Sequence, residues 1–418
     1  MTGRSNFRGT ACCLVAAMAG LLLLASCGGG GASTNVNTTT TGSNVATLAV
    51  NLGLTGSYEN GVFTSVEVCA PGSTSNCVTV PDVLVDTGST GLRVLSAALG
   101  DVSLPSVTVG GNDLQECVQF VDLSYIWGPV AQADIHIAGE TASAASVNVI
   151  SAAPSYAVPE NCLTAGASGS YPDNTVANLG ANGILGVANL PQDCGSQCIS
   201  AANGVPYYFT CPNGDCAIAS VPLSSQLWNP VALFSQDNNG VLFSLPKVPA
   251  LGAASATGSL IFGIGTQSNN ALGSAQIYAT DSAAYFTTTY NGVKYPFSYI
   301  DSGSNALYFL DSKTLGGIDC GGNNAGYYCP GTTLSFTVTN TGTNGVSGPV
   351  SFSIANADSL FNTGNGAFSN LGGDSGTDLA SDYFAFGVPF FFGRSVFVGI
   401  GGTTVPTGAT APYGYWAY

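Results

Sequence analysis

The sequence predicts an all-β protein of two related lobes with only short helices. Composition, a succession of short β-like segments and a duplicated motif lead to this fold class. The chain has 418 residues, of which 45% are hydrophobic and only 7% are charged. Val, Tyr and Phe are frequent and long charged amphipathic segments are absent, so strands are favoured over helices.

Short hydrophobic runs separated by Gly, Asn and Asp recur along the whole chain. SVTVGG, SVNVIS, LSFTVTN and SVFVGI are examples. Runs of this length that end in turn-forming residues are typical of strands. Helices are expected only at GLRVLSAAL, residues 91–99, and at VANLPQD, residues 187–193.

One motif occurs once in each half of the chain. VLVDTGSTGLRVL, residues 83–95, carries a hydrophobic run into an Asp and a Gly-containing turn, and FSYIDSGSNALYFL, residues 297–310, repeats this layout. Each is followed by a hydrophobic pair that ends in Gly, at Gly186 in the first half and at Gly387 in the second. Repetition in the same order indicates two related units, with a boundary between residues 235 and 250.

The N-terminus has the pattern of an export signal. Arg4 and Arg8 precede the apolar segment ACCLVAAMAGLLLLAS, which is too short to span a bilayer comfortably. It ends in Leu24-Ala25-Ser26-Cys27, which resembles the lipobox of bacterial lipoproteins, in which the Cys is lipidated and becomes the new N-terminus. An ordinary signal peptide that ends near a Cys is the alternative. By the same resemblance, Gly28 in place of Asp favours the outer membrane.

The segment after Cys27 has no hydrophobic periodicity and predicts a flexible tether. The protein is therefore expected outside the cytoplasm, held at the cell envelope by a lipid on Cys27. The predicted segments are a lipoprotein signal peptide (1–27), a Gly/Thr/Asn tether (28–45), an N-terminal lobe (46–245) and a C-terminal lobe (246–418).

The net charge at pH 7 is −16, with 7 basic residues against 23 acidic ones. Binding to a phosphate backbone requires clustered Lys and Arg, which this chain lacks. The composition therefore argues against nucleic acid as a partner. It also argues against attraction to an anionic membrane surface by charge.

Ten cysteines follow Cys27, and an even number in an exported chain predicts up to five disulfides. Short spacing indicates the pairs Cys69–Cys77 and Cys320–Cys329. The four cysteines between residues 194 and 216 allow several pairings, and their spacing also admits a zinc site. Export and a single His in the chain argue against zinc, so neither a metal nor another cofactor is expected.

The two Asp-turns have the residues needed to hold a pair of carboxyl groups. A Gly two residues after each Asp allows a sharp turn and leaves backbone N–H groups free to face the carboxylate. If Asp86 and Asp301 meet, they share one proton, because two like charges about 3 Å apart do not both ionise. One group then acts as a base and the other as an acid toward a water molecule.

In these motifs the chain resembles pepsin-like aspartic proteases, the family for which this shared-proton chemistry is established. Asp86-Thr87-Gly88-Ser89 and Asp301-Ser302-Gly303-Ser304 match the two D-[ST]-G-[ST] motifs of that family. NGILG, residues 182–186, FAFG, residues 384–387, and GSLIFGIGTQSNNALG, residues 258–273, resemble further family segments in the same order. With its lipobox and tether, the chain is most similar to a group of bacterial lipoproteins of unknown function.

The resemblance implies a bilobal pepsin-like fold with a cleft between the lobes, and a monomeric enzyme that acts on a polypeptide without a cofactor. It also implies a role for each residue of the two motifs. Asp86 and Asp301 would hold the catalytic water, Thr87 and Ser302 would cross-link the two loops, Ser89 and Ser304 would orient the carboxylates, and Gly88 and Gly303 would form the turns.

The sequence departs from the family in the region of the flap, a β-hairpin that closes over the substrate. The corresponding segment, FVDLSYIWGPVAQADIHIAG at residues 120–139, lacks the Tyr-Gly-Thr-Gly pattern of the family. Tyr125 and Trp127 are the candidates for the flap aromatic, and Pro129 would stiffen the hairpin. Alternatively, both aromatics pack on the N-terminal lobe.

A second protease motif also occurs. GGDSGTDL, residues 372–379, contains the Gly-Asp-Ser-Gly of chymotrypsin-like proteases, whose chemistry requires a His base. The only His is His136, in an alternating run that is typical of a strand, so we expect no Ser-His-Asp triad. Arg93, just after the first Asp-turn, is expected to pair with an acidic side chain that the sequence does not identify.

The function expected from the sequence is that of an exported, lipid-anchored aspartic endopeptidase with an Asp86/Asp301 dyad. The alternative is a non-catalytic pepsin-like protein that binds a peptide, a glycan or a partner enzyme. The intact pair of Asp-turns favours catalysis, because a binding protein needs neither acid. A third possibility, a structural surface lipoprotein, predicts no ligand in the cleft.

Overall fold

The computed structural model describes residues 34–163, 170–375 and 383–418. The expected signal peptide and the lipidation site Cys27 lie outside these residues. The two α-helices are short, α1 at Val176–Leu179 and α2 at Ala357–Phe361. In the part of the chain that the structure describes, no helix has the length and hydropathy needed to cross a membrane.

The first half of the chain contains the strands that precede and follow the first Asp-turn. They are β1 Asn35–Asn37, β2 Val45–Asn51, β3 Gly61–Cys69, β4 Cys77–Asp86, β5 Thr90–Leu95, β6 Thr108–Val109, β7 Asn112–Gln119, β8 Ser124–Ile137, β9 Glu140–Ile150, β10 Tyr171–Pro172, β11 Gly183–Val187, β12 Tyr208–Thr210, β13 Ala217–Ile218 and β14 Gly240–Ser244.

The strands of the second half are β15 Ser255–Phe262, β16 Ile277–Ala279, β17 Phe286–Tyr290, β18 Val293–Ile300, β19 Leu307–Phe309, β20 Leu334–Thr341, β21 Ser347–Ile354, β22 Gly372–Gly373, β23 Phe384–Phe386, β24 Ser395–Ile400 and β25 Gly414–Ala417. Single turns of 3-10 helix connect many of them, at Ser96–Leu99, Glu160–Cys162, Gly195–Ile199, Ala201–Asn203, Pro212–Gly214, Leu223–Ser225, Pro230–Leu233, Gly322–Asn324 and Val388–Phe390.

Neither of the two expected helices forms as predicted. In residues 91–99, the first part belongs to β5, and only Ser96–Leu99 is helical. Every residue of β5 is buried, because the strand pairs with β11 on one side and β9 on the other. Residues 188–193 contain no helix. Pairing within the sheet overrides the local helical pattern.

The two lobes share one continuous sheet, and the C-terminal lobe has a second sheet of its own. In the shared sheet, β15 pairs with β2 of the N-terminal lobe and with β14, and β14 pairs in turn with β24. The second sheet runs β21-β20-β17-β18-β23-β19-β22. The chain therefore has the bilobal all-β fold that the sequence predicts. β14 ends just before the expected boundary between residues 245 and 246, and both of its neighbours in the sheet, β15 and β24, follow that boundary.

The expected tether is too long at its C-terminal end. β1 lies within residues 28–45 and pairs in parallel with β15, from Asn35 opposite Ser255 to Asn37 opposite Thr257. Beyond β1, Thr38 N–H donates to the Thr257 carbonyl at 2.8 Å. Residues 35–38 thus pair with the edge of a sheet, which composition does not reveal.

Five disulfides form among the described residues, and they include the two pairs that the spacing indicated. They are Cys69–Cys77, Cys117–Cys162, Cys194–Cys198, Cys211–Cys216 and Cys320–Cys329. The four cysteines of the zinc alternative are therefore paired as two disulfides and offer no thiolate to a metal. Glu67 lies next to the sulfurs of Cys69 and Cys77, and Asp358 lies next to those of Cys320 and Cys329. These sulfurs also belong to disulfides and offer no thiolate to a metal.

Asn60 joins the two lobes through a buried side chain that is 1% exposed. Its Nδ2 donates to the carbonyls of Asn305, at 2.7 Å, and Phe368, at 2.9 Å. Its Oδ1 accepts from the Phe368 N–H at 2.6 Å. Its backbone is left-handed, with φ 60°, a conformation that Asn tolerates better than most residues. One side chain thus satisfies three backbone groups of the opposite lobe.

We predict that Asn60→Ala lowers the free energy of unfolding by about 3 kcal/mol, since three buried hydrogen bonds contribute roughly 1 kcal/mol each. Urea denaturation followed by tryptophan fluorescence measures this change. The matched control is Asn203→Ala, which removes one exposed bond from Nδ2 to the Gln197 carbonyl and should cost less than about 0.5 kcal/mol. Equal losses for the two variants would contradict the proposed link between the lobes.

Candidate active site

Asp86 and Asp301 occupy equivalent positions in the two lobes. Asp86 ends β4, which runs parallel to β11, with Asp86 opposite Gly186. Asp301 directly follows β18, which runs parallel to β23, and its N–H donates to the Phe386 carbonyl at 3.0 Å. Each carboxyl therefore emerges at the end of a strand supported by a parallel neighbour.

Gly186 and Gly387 lie beneath the two Asp-turns and allow close backbone contact. A Cβ on Gly186 would lie 2.7 Å from the Thr90 nitrogen. A Cβ on Gly387 would overlap the carbonyl oxygens of Ser304 and Ala306. Gly is thus required at the end of the hydrophobic pair in both halves, because the neighbouring backbone lies too close to leave room for a side chain.

Both carboxyl groups accept the same two hydrogen bonds from their own turns, one from a backbone N–H and one from a hydroxyl. These bonds are Gly88 N–H to Asp86 Oδ1 at 2.7 Å, Ser89 Oγ to Asp86 Oδ2 at 2.5 Å, Gly303 N–H to Asp301 Oδ1 at 2.8 Å and Ser304 Oγ to Asp301 Oδ2 at 2.6 Å. Both donors favour the ionised carboxylate and hold it in one orientation.

The two turns are cross-linked by reciprocal hydrogen bonds of Thr87 and Ser302, which are 2% and 1% exposed. Each hydroxyl accepts from the other residue's backbone N–H, at 2.9 Å for Thr87 Oγ1 and 3.1 Å for Ser302 Oγ. Each hydroxyl also donates across the seam, Thr87 to the Ile300 carbonyl at 3.2 Å and Ser302 to the Val85 carbonyl at 2.7 Å. Each hydroxyl thus donates one hydrogen bond and accepts another across the junction of the two lobes.

The Asp86 and Asp301 side chains lie close together at the junction of the two lobes. Each turn's Gly faces the carboxyl of the opposite turn. A Cβ on Gly88 would lie 2.7 Å from Asp301 Oδ1, and a Cβ on Gly303 would lie 2.7 Å from Asp86 Oδ1. Any larger residue at either position would occupy the space of the opposite carboxyl, which explains why both turns contain Gly.

Burial raises the pKa of Asp301, and the neighbouring negative charge of Asp86 raises it further. The hydrogen bonds from Ser304 and Gly303 act in the opposite direction and offset only part of this effect. The carboxyl pair therefore keeps one proton over a range of pH in which an isolated Asp is fully ionised.

Two tyrosines that the sequence analysis did not identify lie beside the carboxyl pair. Tyr58, between β2 and β3, donates from its hydroxyl to the Gly303 carbonyl at 3.3 Å. Tyr299 precedes Asp301 by two residues and thus projects from the same face of β18. Burial raises the pKa of both phenols, and Asp86 and Asp301 both raise it further. In the sequence, only the spacing of two residues between Tyr299 and Asp301 could have indicated that one of these tyrosines lies on the side of the carboxyl pair.

Arg93 is completely buried, and its acidic partner is Glu116 of β7. Its Nη2 lies 2.6 Å from Glu116 Oε1 and 3.6 Å from Asp193 Oδ2, while its Nη1 donates to the Thr90 carbonyl at 2.9 Å. Burial and the Glu116 carboxylate raise the pKa of Asp193 well above its usual value. The three side chains therefore form a buried cluster beneath the first Asp-turn.

Tyr125 and Trp127 are not placed as flap residues. They lie on one face of β8, and both pack on a cluster that contains Cys117, Cys162 and Phe209. Trp127 is 3% exposed, and its Nε1 donates to the Tyr156 carbonyl at 3.1 Å. The opposite face of β8, with Ile126, packs on the apolar cluster that includes Leu84 and Ile184. The expected alternative, packing on the N-terminal lobe, describes both aromatics.

The second protease motif does not form a triad. Ser375 Oγ donates to the Leu310 carbonyl at 2.6 Å, and Asp374 Oδ2 accepts from the Ser312 N–H. His136 Nδ1 shares a hydrogen bond with Thr141 Oγ1 at 2.9 Å across the β8–β9 hairpin. Residues 376–379 of the motif lie outside the described residues.

Comparison with solved structures found a similarity to an aspartic proteinase from Irpex lacteus, with 15% identity and a TM-score of 0.42. The similarity covers 89% of this chain and 96% of that protein. No curated protein matches the chain. The pepsin-like resemblance of the fold rests on the two cross-linked Asp-turns at the junction of two β lobes.

A family model described as a protein of unknown function, DUF3443, matches residues 40–418. The match begins five residues before β2 and continues through β25, so it includes both Asp-turns and all five disulfides. The chain belongs to the DUF3443 family.

Proposed function

We propose that the protein is an exported, lipid-anchored aspartic endopeptidase that hydrolyses peptide bonds with a water molecule activated by Asp86 and Asp301. The observation that supports this most strongly is the proximity of the two carboxyl groups, each held by matching donors from its own turn. A protein that only binds a ligand has no need of a shared proton at the junction of its lobes.

In the proposed reaction, Asp301, whose pKa is raised by burial, acts as the acid, and Asp86 acts as the base. Asp86 takes a proton from water while the water oxygen bonds to the peptide carbonyl carbon, and Asp301 donates its proton to the carbonyl oxygen. The tetrahedral intermediate then breaks its C–N bond. The amine nitrogen receives the proton held by Asp86, and the carbonyl hydroxyl returns its proton to Asp301.

The cross-linked turns support this chemistry by fixing the geometry of the two groups. Proton transfer needs donor and acceptor within hydrogen-bonding distance, and small displacements of the reacting groups cost large factors in rate. The reciprocal bonds of Thr87 and Ser302 hold each carboxyl in position relative to the other without a mobile side chain.

We predict that Asp301→Asn lowers the rate of peptide hydrolysis by at least about 10³-fold, because an amide cannot hold or return the proton. Cleavage of a denatured protein, followed by mass spectrometry at several pH values between about 3 and 7, measures this. Asp374→Asn is the matched control, since it alters an Asp-Ser-Gly motif away from the dyad and should retain activity.

Circular dichroism and thermal unfolding should show that both variants fold. If the wild-type protein cleaves nothing and binds peptides or glycans equally well before and after Asp301→Asn, the alternative of a non-catalytic binding protein replaces the proposal. If it binds no ligand at all, a structural role replaces it.

Stability should fall as pH rises from about 4 to 8, because the folded state keeps protons that the unfolded chain has released. Burial raises the pKa of Asp301, as it raises that of Asp173 to about 6. Urea denaturation at a series of pH values should show this slope, and Asp301→Asn should reduce it. Asp215→Asn, the same change at an exposed residue, should leave the slope as in the wild type. A slope that Asp301→Asn does not alter would contradict the shared proton.

The proposal includes a lipid on Cys27, supported by the sequence pattern that precedes it. We predict that cells producing the Cys27→Ser variant no longer incorporate radiolabelled palmitate into the protein. Cys13→Ser, within the apolar segment, is the control and should keep the label. A wild-type protein that carries no label would show that the segment is an ordinary signal peptide.

A further inference from the structure

The segment between β11 and β14 adds a disulfide-rich insertion to the N-terminal lobe. Cys194–Cys198 and Cys211–Cys216 lie within it, and its strand β12 continues the sheet of the β7–β8 hairpin. In this pairing Tyr208 lies opposite Glu116, and the Cys117 N–H donates to the Tyr207 carbonyl at 2.8 Å. The insertion thus places two adjacent tyrosines next to the Arg93 cluster.

The two tyrosines have different surroundings. Tyr208 is 0% exposed, and its hydroxyl donates to Asp193 and accepts from the Leu227 N–H at 2.7 Å. Tyr207 is only partly buried, and it packs on the same apolar cluster as Tyr58, formed by strands that include β4 and β11. Tyr208 therefore has a structural role, whereas Tyr207 lies on the side of the first Asp-turn.

The Tyr207 hydroxyl accepts a hydrogen bond from Arg93 Nη2 at 3.4 Å. A guanidinium can only donate, so this bond uses a lone pair of the phenol oxygen and leaves the phenol proton for another acceptor. Among residues 34–163, 170–375 and 383–418, the structure records no acceptor for this proton. Arg93 cannot turn away, because Glu116 and the Thr90 carbonyl hold it in place.

The Tyr207 hydroxyl is linked through Arg93 to the Thr90 carbonyl, which directly follows the first Asp-turn. Burial raises the pKa of its phenol, the charge of Arg93 opposes this, and Asp193, Glu116 and Asp86 raise it further. The phenol is thus a neutral hydrogen-bond donor, next to the Arg93 guanidinium that supports the first Asp-turn.

We propose that Tyr207 is a substrate-binding residue of the site and donates its phenol proton to a backbone carbonyl of an extended polypeptide that lies along the Asp86 half of the cleft. This inference rests on the proposed function and specifies how the substrate is held. A carbonyl oxygen is the matching acceptor, since the arrangement offers one fixed donor and no additional positive charge for an anion.

The test is Tyr207→Phe, which removes the hydroxyl and keeps the ring. We expect kcat/KM for a peptide substrate to fall by about 3–10-fold, the effect of one hydrogen bond, and the Kd for pepstatin to rise by a similar factor. Tyr328→Phe is the matched control. It removes the buried bond from its hydroxyl to the Phe309 carbonyl in the C-terminal lobe, and should lower stability without changing kcat/KM or Kd.

A thioamide scan of the substrate distinguishes direct contact from a structural effect. Sulfur is a poorer acceptor than oxygen, so one thioamide position should weaken binding to the wild type and have no further effect in Tyr207→Phe. Such non-additivity indicates that the two groups touch. If every thioamide position lowers affinity equally in both proteins, Tyr207 does not bind a backbone carbonyl.

The outcomes separate this inference from the proposed function. If the wild type cleaves peptides and Tyr207→Phe does so with the same kcat/KM, the inference on Tyr207 is overturned and the proposed function stands. If the wild type binds peptides without cleaving them and Tyr207→Phe weakens that binding, the inference stands and the proposed reaction is overturned. Binding of glycans alone would overturn both.

Discussion

The reciprocal hydrogen bonds between Thr87 and Ser302 are the constraint on which the rest of the structure depends. They join residues 215 positions apart in the chain, at the point where two strands deliver their carboxyl groups. Two carboxyls share a proton only at short distance, so small movements between the lobes would separate them. The pairing of β2 with β15 and the buried side chain of Asn60 strengthen the same junction.

The surroundings of the carboxyl pair differ from those that the pepsin-like resemblance implied. The β7–β8 hairpin is flanked by β12 and β10, and Cys117–Cys162 ties it to the segment beyond β9. Both strands of the hairpin are therefore paired with further strands. An aromatic side chain, Tyr58, reaches the site from the segment between β2 and β3.

Arg93 connects this hairpin to the first Asp-turn. A buried guanidinium is costly unless its charge is balanced and its N–H groups are bonded, and Glu116, Asp193 and Thr90 supply most of these contacts. Because Glu116 belongs to β7 and Asp193 to the start of the insertion, the cluster joins three separate segments behind Asp86. Its position in the sequence predicted an acidic partner, but the identity of that partner depends on how β5 and β7 pack.

Features that depend on neighbouring residues could be predicted from the sequence: the two Asp-turns, the Gly residues beneath them, the β-rich composition and the disulfides with short spacing. Each follows from local backbone geometry or from a short loop, so a pattern of a few residues is sufficient. The pairing of Asn35–Asn37 with β15, the burial of Trp127 and the contact of Tyr207 with Arg93 could be seen only in the tertiary structure. These outcomes depend on which strand edges meet and which face of a strand is covered, and such contacts between distant segments leave no pattern in the local sequence.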